Sequence, residues 1–197
     1  MSTIIEELEI EGIQAQTGAF ANLLRMRDRS IGLHSERMGS LARDVAKRCD
    51  LSSREIRLIE TASHLHDLGT IAIPDPILHK SGTLSTEERD IMQGHSQFGY
   101  DALLQGGNFR QVADLVLHHH EWYDGSGYPN GLAGDDIPFG SRVIAVLDAY
   151  DAMTNDRPYR RARTIREAAE ELILGKGTQF DPKVVDATLE AIRFGVH

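Results

Sequence analysis

The segment from Leu117 to Pro129 constrains the fold most, and reads Leu-His-His-His-Glu-Trp-Tyr-Asp-Gly-Ser-Gly-Tyr-Pro. Its consecutive histidines cannot share one face of a helix, because neighbouring side chains point about 100° apart. A shared packing role is therefore disfavoured. Adjacent imidazoles at a helix end can converge on a cation, and the glycines and proline that follow end the helix. The segment predicts a metal site beside a substrate-facing loop.

The other ligand candidates are spread along the chain, so separate helices must deliver them to one centre. Each lies in or beside a stretch with helical periodicity. The ordered set is His34, His66, Asp67, His95, His119, His120 and Asp148, with Asp151 shortly after. Imidazole and carboxylate without thiolate favour iron, manganese or zinc over a purely structural zinc knot.

The remaining histidines fit no part of this set. We assign His64 to the core or to a position behind the ligands, and His79 and His197 to solvent. His118 is interpreted as a neighbour or outer hydrogen-bond donor of the pair that follows it, and not as a ligand.

Composition limits the class of protein. A chain of 197 residues, 41% hydrophobic and 26% charged, predicts one compact globular domain. No stretch approaches the roughly 20 apolar residues of a membrane span, and the acidic N-terminus is unlike a signal peptide. The single cysteine, Cys49, excludes a disulfide framework and favours a cytoplasmic location. A formal net charge of −9 argues against a DNA- or RNA-binding protein.

Hydrophobic periodicity predicts an all-α fold, and alternating strand patterns are absent from the sequence. Helices are predicted at about Ile4–Arg27, Ile31–Cys49, Ser52–Asp67, Phe109–His120 and Ser141–Thr154, with further starts at Ser85, Thr164 and Asp181. Two segments rich in turn residues, Gly69–Gly82 and Glu121–Gly140, follow ligand candidates directly. Because long loops in compact domains are usually functional, we predict that these two form the rim of the active cleft.

A cluster of arginines follows the aspartates in this acidic chain. It comprises Arg157, Arg160, Arg161, Arg163 and Arg166. Guanidinium groups suit phosphate or a guanine edge. For the later arginines we favour a solvated surface paired with nearby glutamates. For Arg157 and Arg160, which lie nearest the aspartates, we predict substrate binding.

The adjacent residues His66 and Asp67 can together contact two cations, because a carboxylate can bridge two cations while an imidazole binds one. Two metal ions about 3.5–4 Å apart clamp the attacking and leaving oxygens of a phosphoryl displacement. Such cleavage needs no side-chain nucleophile. Cys49 lies away from every motif, and no Ser-centred glycine elbow accompanies a base, so covalent catalysis is unsupported.

Taken in order, these motifs resemble the HD-GYP domain, a subgroup of the HD phosphohydrolase superfamily. The matching stretches are His66-Asp67-Leu68-Gly69, Ile73-Pro74, His119-His120-Glu121, Asp124-Gly125, Gly127-Tyr128-Pro129, Asp148–Thr154 and Arg157–Arg160. The resemblance runs from about Ser30 to Phe180. It implies an N-terminal helical extension over 1–29 and a single helical HD-GYP domain over 30–197, with a metal centre between helices.

The resemblance implies a phosphodiesterase that hydrolyses the bacterial second messenger cyclic di-GMP to linear pGpG or GMP. It implies two divalent ions, with iron or manganese expected. One ion would be held by His34, His66 and Asp148, the other by His95, His119 and His120, with Asp67 between them. Tyr128, Asp151, Arg157 and Arg160 are the implied substrate-binding residues. Some relatives hold a third metal with a glutamate at the position of Ser30, so two ions are expected here. The resemblance also allows protein partners such as diguanylate cyclases.

One position departs from the family pattern. The family usually has lysine after His-Asp-x-Gly, and this chain has Thr70. Threonine keeps a hydroxyl but removes a positive charge near developing negative charge, where electrostatic stabilisation is worth several kcal/mol. We therefore expect Thr70, together with Asp67, to bear on the catalytic rate, and interpret Lys80 as a rim residue.

Two alternatives stay open. One is a catalytically weak domain that binds the nucleotide or a signalling partner. The other is an HD hydrolase of a different phosphorylated nucleotide. The complete ligand set favours an enzyme, whereas Thr70 favours the binding domain. The Gly127-Tyr128-Pro129 loop and the second histidine cluster argue against a hydrolase of a different nucleotide.

Overall fold

The computed structural model describes residues 2–156 and 161–194, with side chains over 13–156 and 161–193. The α-helices in these ranges are α1 (Ser2–Arg27), α2 (Arg29–Lys47), α3 (Ser53–Leu65), α4 (Asp75–Leu78), α5 (Thr86–Gln93), α6 (His95–Gln105), α7 (Arg110–Leu117), α8 (Phe139–Thr154), α9 (Ile165–Leu174) and α10 (Pro182–Phe194). Short 3₁₀-helices lie at Leu68–Ala72 and Gly134–Asp136. In the same ranges the only strand-like pairing is an isolated bridge between Lys176 and Phe180. The predicted all-α fold is confirmed.

Local capping explains why the helices begin where they do. At Ser52, Ser85 and Thr164 the hydroxyl accepts the backbone N–H three residues on, and the glutamate there accepts the cap's own N–H. These are the capping boxes predicted from the sequence, and they form because every partner lies within one turn. The Asp28 carboxylate caps α2 by accepting backbone N–H groups, so that helix begins earlier than the periodicity indicated.

The loop predicted over Gly69–Gly82 contains short helical turns. The segment contains most of the Leu68–Ala72 3₁₀-helix and the single turn of α4. Pro76 lies in the first turn of α4, where its fixed φ favours helix initiation. A proline that indicated a loop therefore begins a helical turn. In contrast, Glu121–Gly140 is irregular apart from the second 3₁₀-helix and the first residues of α8.

The core lies where α2, α3, α7 and α8 meet. Its fully buried side chains include Met38, Val45, Leu65, Val116, Ile144 and Leu147. The C-terminal turns of α1 join this core, since Leu24 is fully buried and the Phe20 ring meets Phe109 edge-on at 5.8 Å between centroids. This packing supports assigning the end of α1 to the domain, and the boundary at residue 30 stays a prediction. None of the described helices is long and apolar enough to cross a membrane.

Candidate metal centre

Two groups of ligand candidates lie next to each other between the helices. His95, His119 and His120 form one group, and His34, His66 and Asp67 the other. In each group the candidate donor atoms lie within 4.8 Å of one another. The histidine-rich segment reaches this point because α7 ends at Leu117, which leaves the three histidines in the turn that follows.

Asp67 lies at the junction of the two groups. Its Oδ2 atom is 3.6 Å from His66 Nε2, and its Oδ1 atom is 3.9 Å from His95 Nε2. The two carboxylate oxygens therefore face one imidazole from each group. This arrangement fits a ligand shared by two cations, and the bridging role of Asp67 stays a prediction.

Asp148 approaches the first group from α8. Its Oδ1 atom is 3.3 Å from His34 Nε2, which is itself 3.1 Å from His66 Nε2. The structure thus brings together the predicted set of His34, His66 and Asp148. Five helices or helix ends supply the seven candidates, as expected when ligands are far apart in sequence.

Several imidazoles are held in a defined orientation by the backbone. In three of them Nδ1 lies at hydrogen-bond distance from the carbonyl three residues earlier. The pairs are His66 with Ser63 at 2.8 Å, His95 with Met92 at 2.8 Å, and His119 with Val116 at 2.5 Å. Since a carbonyl can only accept, we assign the proton to Nδ1, which leaves the Nε2 lone pair directed at the centre. These residues fit a divalent cation.

The pKa shifts of His119, His120 and Asp67 also suit a metal. Burial lowers the pKa of His119 well below its ordinary value, and the neighbouring imidazoles lower it further. Burial, followed by the charge of His95, lowers the pKa of His120 to about 4. Burial acts to raise the pKa of Asp67, but His66 and His95 outweigh it and hold the carboxyl below its usual range. Neutral imidazoles and an ionised carboxylate are the forms that bind metal.

The turn that carries Asp67 packs very closely against α6. A Cβ atom at Gly69 would lie 1.9 Å from the His95 carbonyl oxygen and 2.5 Å from the Gly99 backbone nitrogen. Real Cβ atoms do not approach backbone so closely, so this position requires glycine. The close approach holds Asp67 and His95 near each other although they belong to different elements.

The loop after His120 folds back over the centre. Glu121 is buried, and its carboxylate accepts the backbone N–H groups of Asn130 at 2.7 Å and Leu132 at 3.2 Å. The Tyr128 N–H donates to the His120 carbonyl, and its ring stacks on the His120 imidazole with centroids 4.9 Å apart. Tyr128 therefore borders the centre. The role of Glu121 was missed from the sequence, because its partners are backbone groups.

Thr70 and Lys80 differ in their relation to the centre. Thr70 is buried, and its hydroxyl donates to the Asp67 carbonyl at 2.7 Å. The hydroxyl thus closes the turn that presents Asp67, and a catalytic role for it stays a prediction. Lys80 pairs with Glu88 at the start of α5, which agrees with its interpretation as a rim residue.

Asp151 lies behind His34. The residue is only 7% exposed, and its carboxylate interacts with the His34 ring and with the guanidinium of Arg37. This placement supports a role in orienting His34, a candidate metal ligand. The sequence had predicted a contact with the substrate. Arg37 was missed from the sequence, although its position one turn after His34 on α2 was a usable signal.

His64, His79 and His118 lie outside the ligand groups. His118 Nδ1 donates to the Asp114 carbonyl, and its Nε2 lies 3.1 Å from the Asn130 amide, so it holds the loop as an outer neighbour. His64 is half-buried and packs against Gly39. His79 is exposed. These positions agree with the predictions.

The arginine cluster is only partly described by the structure. Arg163 pairs with Glu171 and Arg166 with Glu170 at exposed positions, so these later arginines belong to a solvated surface as predicted. Arg157, Arg160 and His197 lie outside the described residues, and their roles stay predictions.

An all-helical fold with a His-Asp centre between its helices is the pattern of an HD domain. A family model described as HD domain matches residues 18–184, and the chain belongs to this family. The recognition of the family from the motifs is confirmed.

Two curated relatives are similar over most of this chain. One is the cyclic di-GMP phosphodiesterase response regulator RpfG of Xanthomonas campestris, 44% identical over 184 residues, which cover 92% of this chain and 49% of the relative. Another is the 3'3'-cGAMP-specific phosphodiesterase 2 of Vibrio cholerae, 42% identical over 86% of this chain and 33% of the relative. The chain therefore spans half or less of these relatives. A solved cyclic GMP-AMP-specific phosphodiesterase of V. cholerae shares the fold, with a TM-score of 0.70 and 20% identity over 91% of this chain and 48% of that one.

Proposed function

We propose that this chain is the catalytic domain of a metal-dependent phosphodiesterase that hydrolyses cyclic di-GMP. The observation that carries the proposal is the position of Asp67, whose two oxygens face one imidazole from each histidine group. A site built this way fits phosphodiester cleavage by two cations. The substrate class is supported by relatives that are named as cyclic di-GMP and 3'3'-cGAMP phosphodiesterases.

The proposed cofactor is a pair of divalent ions, iron or manganese. His34, His66 and Asp148 would hold one ion, His95, His119 and His120 the other, and Asp67 both. When bound, such a pair acidifies water and neutralises charge on the phosphate oxygens. The protein contributes imidazoles that are held by hydrogen bonds to backbone carbonyls, so little reorganisation of these rings is needed on binding.

The substrate side of the proposal involves the loop and the arginines. Tyr128 is half-buried against His120, at the edge of the centre, and we propose that it contacts the nucleotide. Arg157 and Arg160 are proposed to bind its phosphates because of their charge. A cytoplasmic location and partners such as diguanylate cyclases belong to the same proposal, since the substrate is an intracellular messenger.

Metal and product analysis on one anaerobically purified sample tests the proposal. We expect two ions per chain and conversion of cyclic di-GMP to pGpG or GMP, with 3'3'-cGAMP assayed in parallel. Asp67→Ala should lose both ions and all turnover, because Asp67 is the proposed shared ligand. Asp44→Ala, which removes a partly exposed carboxylate from α2, serves as the control and should keep both.

Three outcomes would revise the proposal. A fully loaded protein that binds cyclic di-GMP tightly without cleaving it would favour the binding domain, the alternative that Thr70 supports. Faster turnover of 3'3'-cGAMP would assign the other cyclic dinucleotide as substrate. An Asp67→Ala protein that kept two ions would contradict the bridged arrangement.

A further inference from the structure

The carboxylate of Asp151 is fully occupied by donors from its own chain. Oδ2 lies 2.6 Å from His34 Nδ1 and 2.8 Å from Arg37 Nη2. Oδ1 accepts from Arg37 Nε at 2.7 Å and from Asn155 Nδ2 at 3.0 Å. Because a carboxylate offers about four lone-pair sites, Asp151 has none left for a substrate. Its contacts point to a role within the protein.

This contact distinguishes His34 from the other ligand candidates. His66, His95 and His119 hold Nδ1 against neutral backbone carbonyls. Among the described candidates with an assigned Nδ1 partner, His34 alone faces a carboxylate. A carboxylate raises the basicity of the opposite nitrogen more than a carbonyl does, so it strengthens that nitrogen as a ligand. The Nε2 atom of His34 is the one that faces His66 and Asp148.

Arg37 supports the carboxylate from the same helix as His34. It lies one turn further along α2, and its guanidinium forms two parallel hydrogen bonds with Asp151. Such a bidentate pair fixes the plane of the carboxylate and balances its charge at a buried position. The Asn155 amide holds the same side chain from the end of α8. His34 is thereby fixed from two helices.

We propose that Asp151 and Arg37 are positioning residues that set the affinity of one metal ion, the one held by His34. This inference rests on the proposed two-ion site. Among the described residues, no hydrogen bond or ion pair joins this pair to His95, His119 or His120, so the ion that those histidines would hold should be insensitive to it. Loss of a partner of this kind weakens metal affinity by about 10–100-fold.

Titration of the metal-stripped full chain with Mn²⁺ tests the proposal. Asp151→Asn removes the charge and keeps the shape, and Arg37→Gln removes the support. Arg43→Gln is the matched control, because Arg43 lies on the same helix and forms a comparable pair with Glu60. Bound ions are counted, and electron paramagnetic resonance distinguishes a coupled Mn²⁺ pair from an isolated ion. Thermal unfolding checks that each variant is folded.

Wild type and Arg43→Gln should bind two ions and give the coupled-pair spectrum. Asp151→Asn should bind one ion with unchanged affinity and the second about 10–100-fold more weakly, so that the isolated-ion signal dominates at limiting Mn²⁺. Arg37→Gln should also weaken the affinity for the second ion, by a smaller factor than Asp151→Asn. If Asp151→Asn does not fold, Arg37→Gln decides the test.

Two results in folded variants would overturn the inference. One is wild-type affinity for both ions, and the other is equal weakening of both, since a general loss of structure affects the two positions alike. Failure of the proposed function is distinguishable, because it would show in the wild type as fewer than two bound ions.

Discussion

At position 70 a threonine hydroxyl is used to shape the turn that presents Asp67. It donates to the Asp67 carbonyl, and the residue is 5% exposed. Lys80 is exposed and pairs with Glu88. The role of the hydroxyl and the effect of the missing positive charge can therefore be tested separately, each by one substitution.

Thr70→Val removes the hydroxyl and keeps the shape of the side chain. We expect a loss of about 0.5–1.5 kcal/mol in the free energy of unfolding, the net value of one hydrogen bond, with metal content and turnover close to wild type. Denaturant unfolding and steady-state kinetics on metal-analysed samples measure this. A fully loaded Val variant with little turnover would instead assign the hydroxyl a chemical role.

Thr70→Lys restores the positive charge of the family pattern. We expect turnover to rise at unchanged metal content, because the ammonium would stabilise negative charge that develops on the substrate. The same kinetic assay measures it, with Thr70→Val as the comparison. A loaded Lys variant that is no faster would show that another group already fills this role.

Among the elements, the contact between the Leu68–Ala72 turn and α6 controls the geometry of the centre. The two backbones approach so closely at Gly69 and Gly99 that no side chain fits at Gly69. Asp67 begins this turn and His95 begins α6. The distance between a carboxylate and an imidazole of different groups therefore depends on a contact between backbones.

Gly69→Ala should push the turn away from α6. We expect a loss of stability of about 1–3 kcal/mol from overpacking, together with reduced metal content, since Asp67 moves relative to His95. Gly82→Ala is the control, because a Cβ atom there meets nothing within 4 Å. Metal analysis and thermal unfolding of both variants check the prediction, and full metal content in a folded Gly69→Ala protein would contradict it.

In the whole molecule, the proposed ions would connect elements that are far apart in sequence. Ligand candidates come from α2, the end of α3, α6, the turn after α7, and α8. An ion that binds only the folded chain stabilises it by about 2.7 kcal/mol at 100 times its Kd. Since 1 kcal/mol shifts the Tm of a domain of this size by about 2–4 °C, each such ion raises the Tm by roughly 5–10 °C.

Chelation should therefore lower the Tm of the wild-type protein by at least this amount. The Tm of Asp67→Ala should not change on chelation, because the variant has no bound ions to lose. Thermal unfolding with and without a chelator, followed by addition of Mn²⁺, measures both effects. Equal Tm values for loaded and stripped wild-type protein would show that the centre does not connect the helices in this way.

The sequence by itself determined the helical class, several helix starts and the ordered set of ligand candidates. Capping boxes at Ser52, Ser85 and Thr164 could be predicted because all their partners lie within one turn. The set of ligand candidates could be selected because residue types in a fixed order carry the chemistry, and their binding of metal stays a prediction. Both are properties of short stretches or of their order along the chain.

Only the tertiary structure decided what surrounds those ligands. Arg37 and Asp151 are 114 residues apart in sequence, and no local pattern indicates that they form a pair. Glu121 binds backbone groups, and Gly69 is required by the backbone of another helix. Such contacts depend on how the helices pack, and distances between packed helices are set by side-chain volumes across the whole core and not by any single stretch.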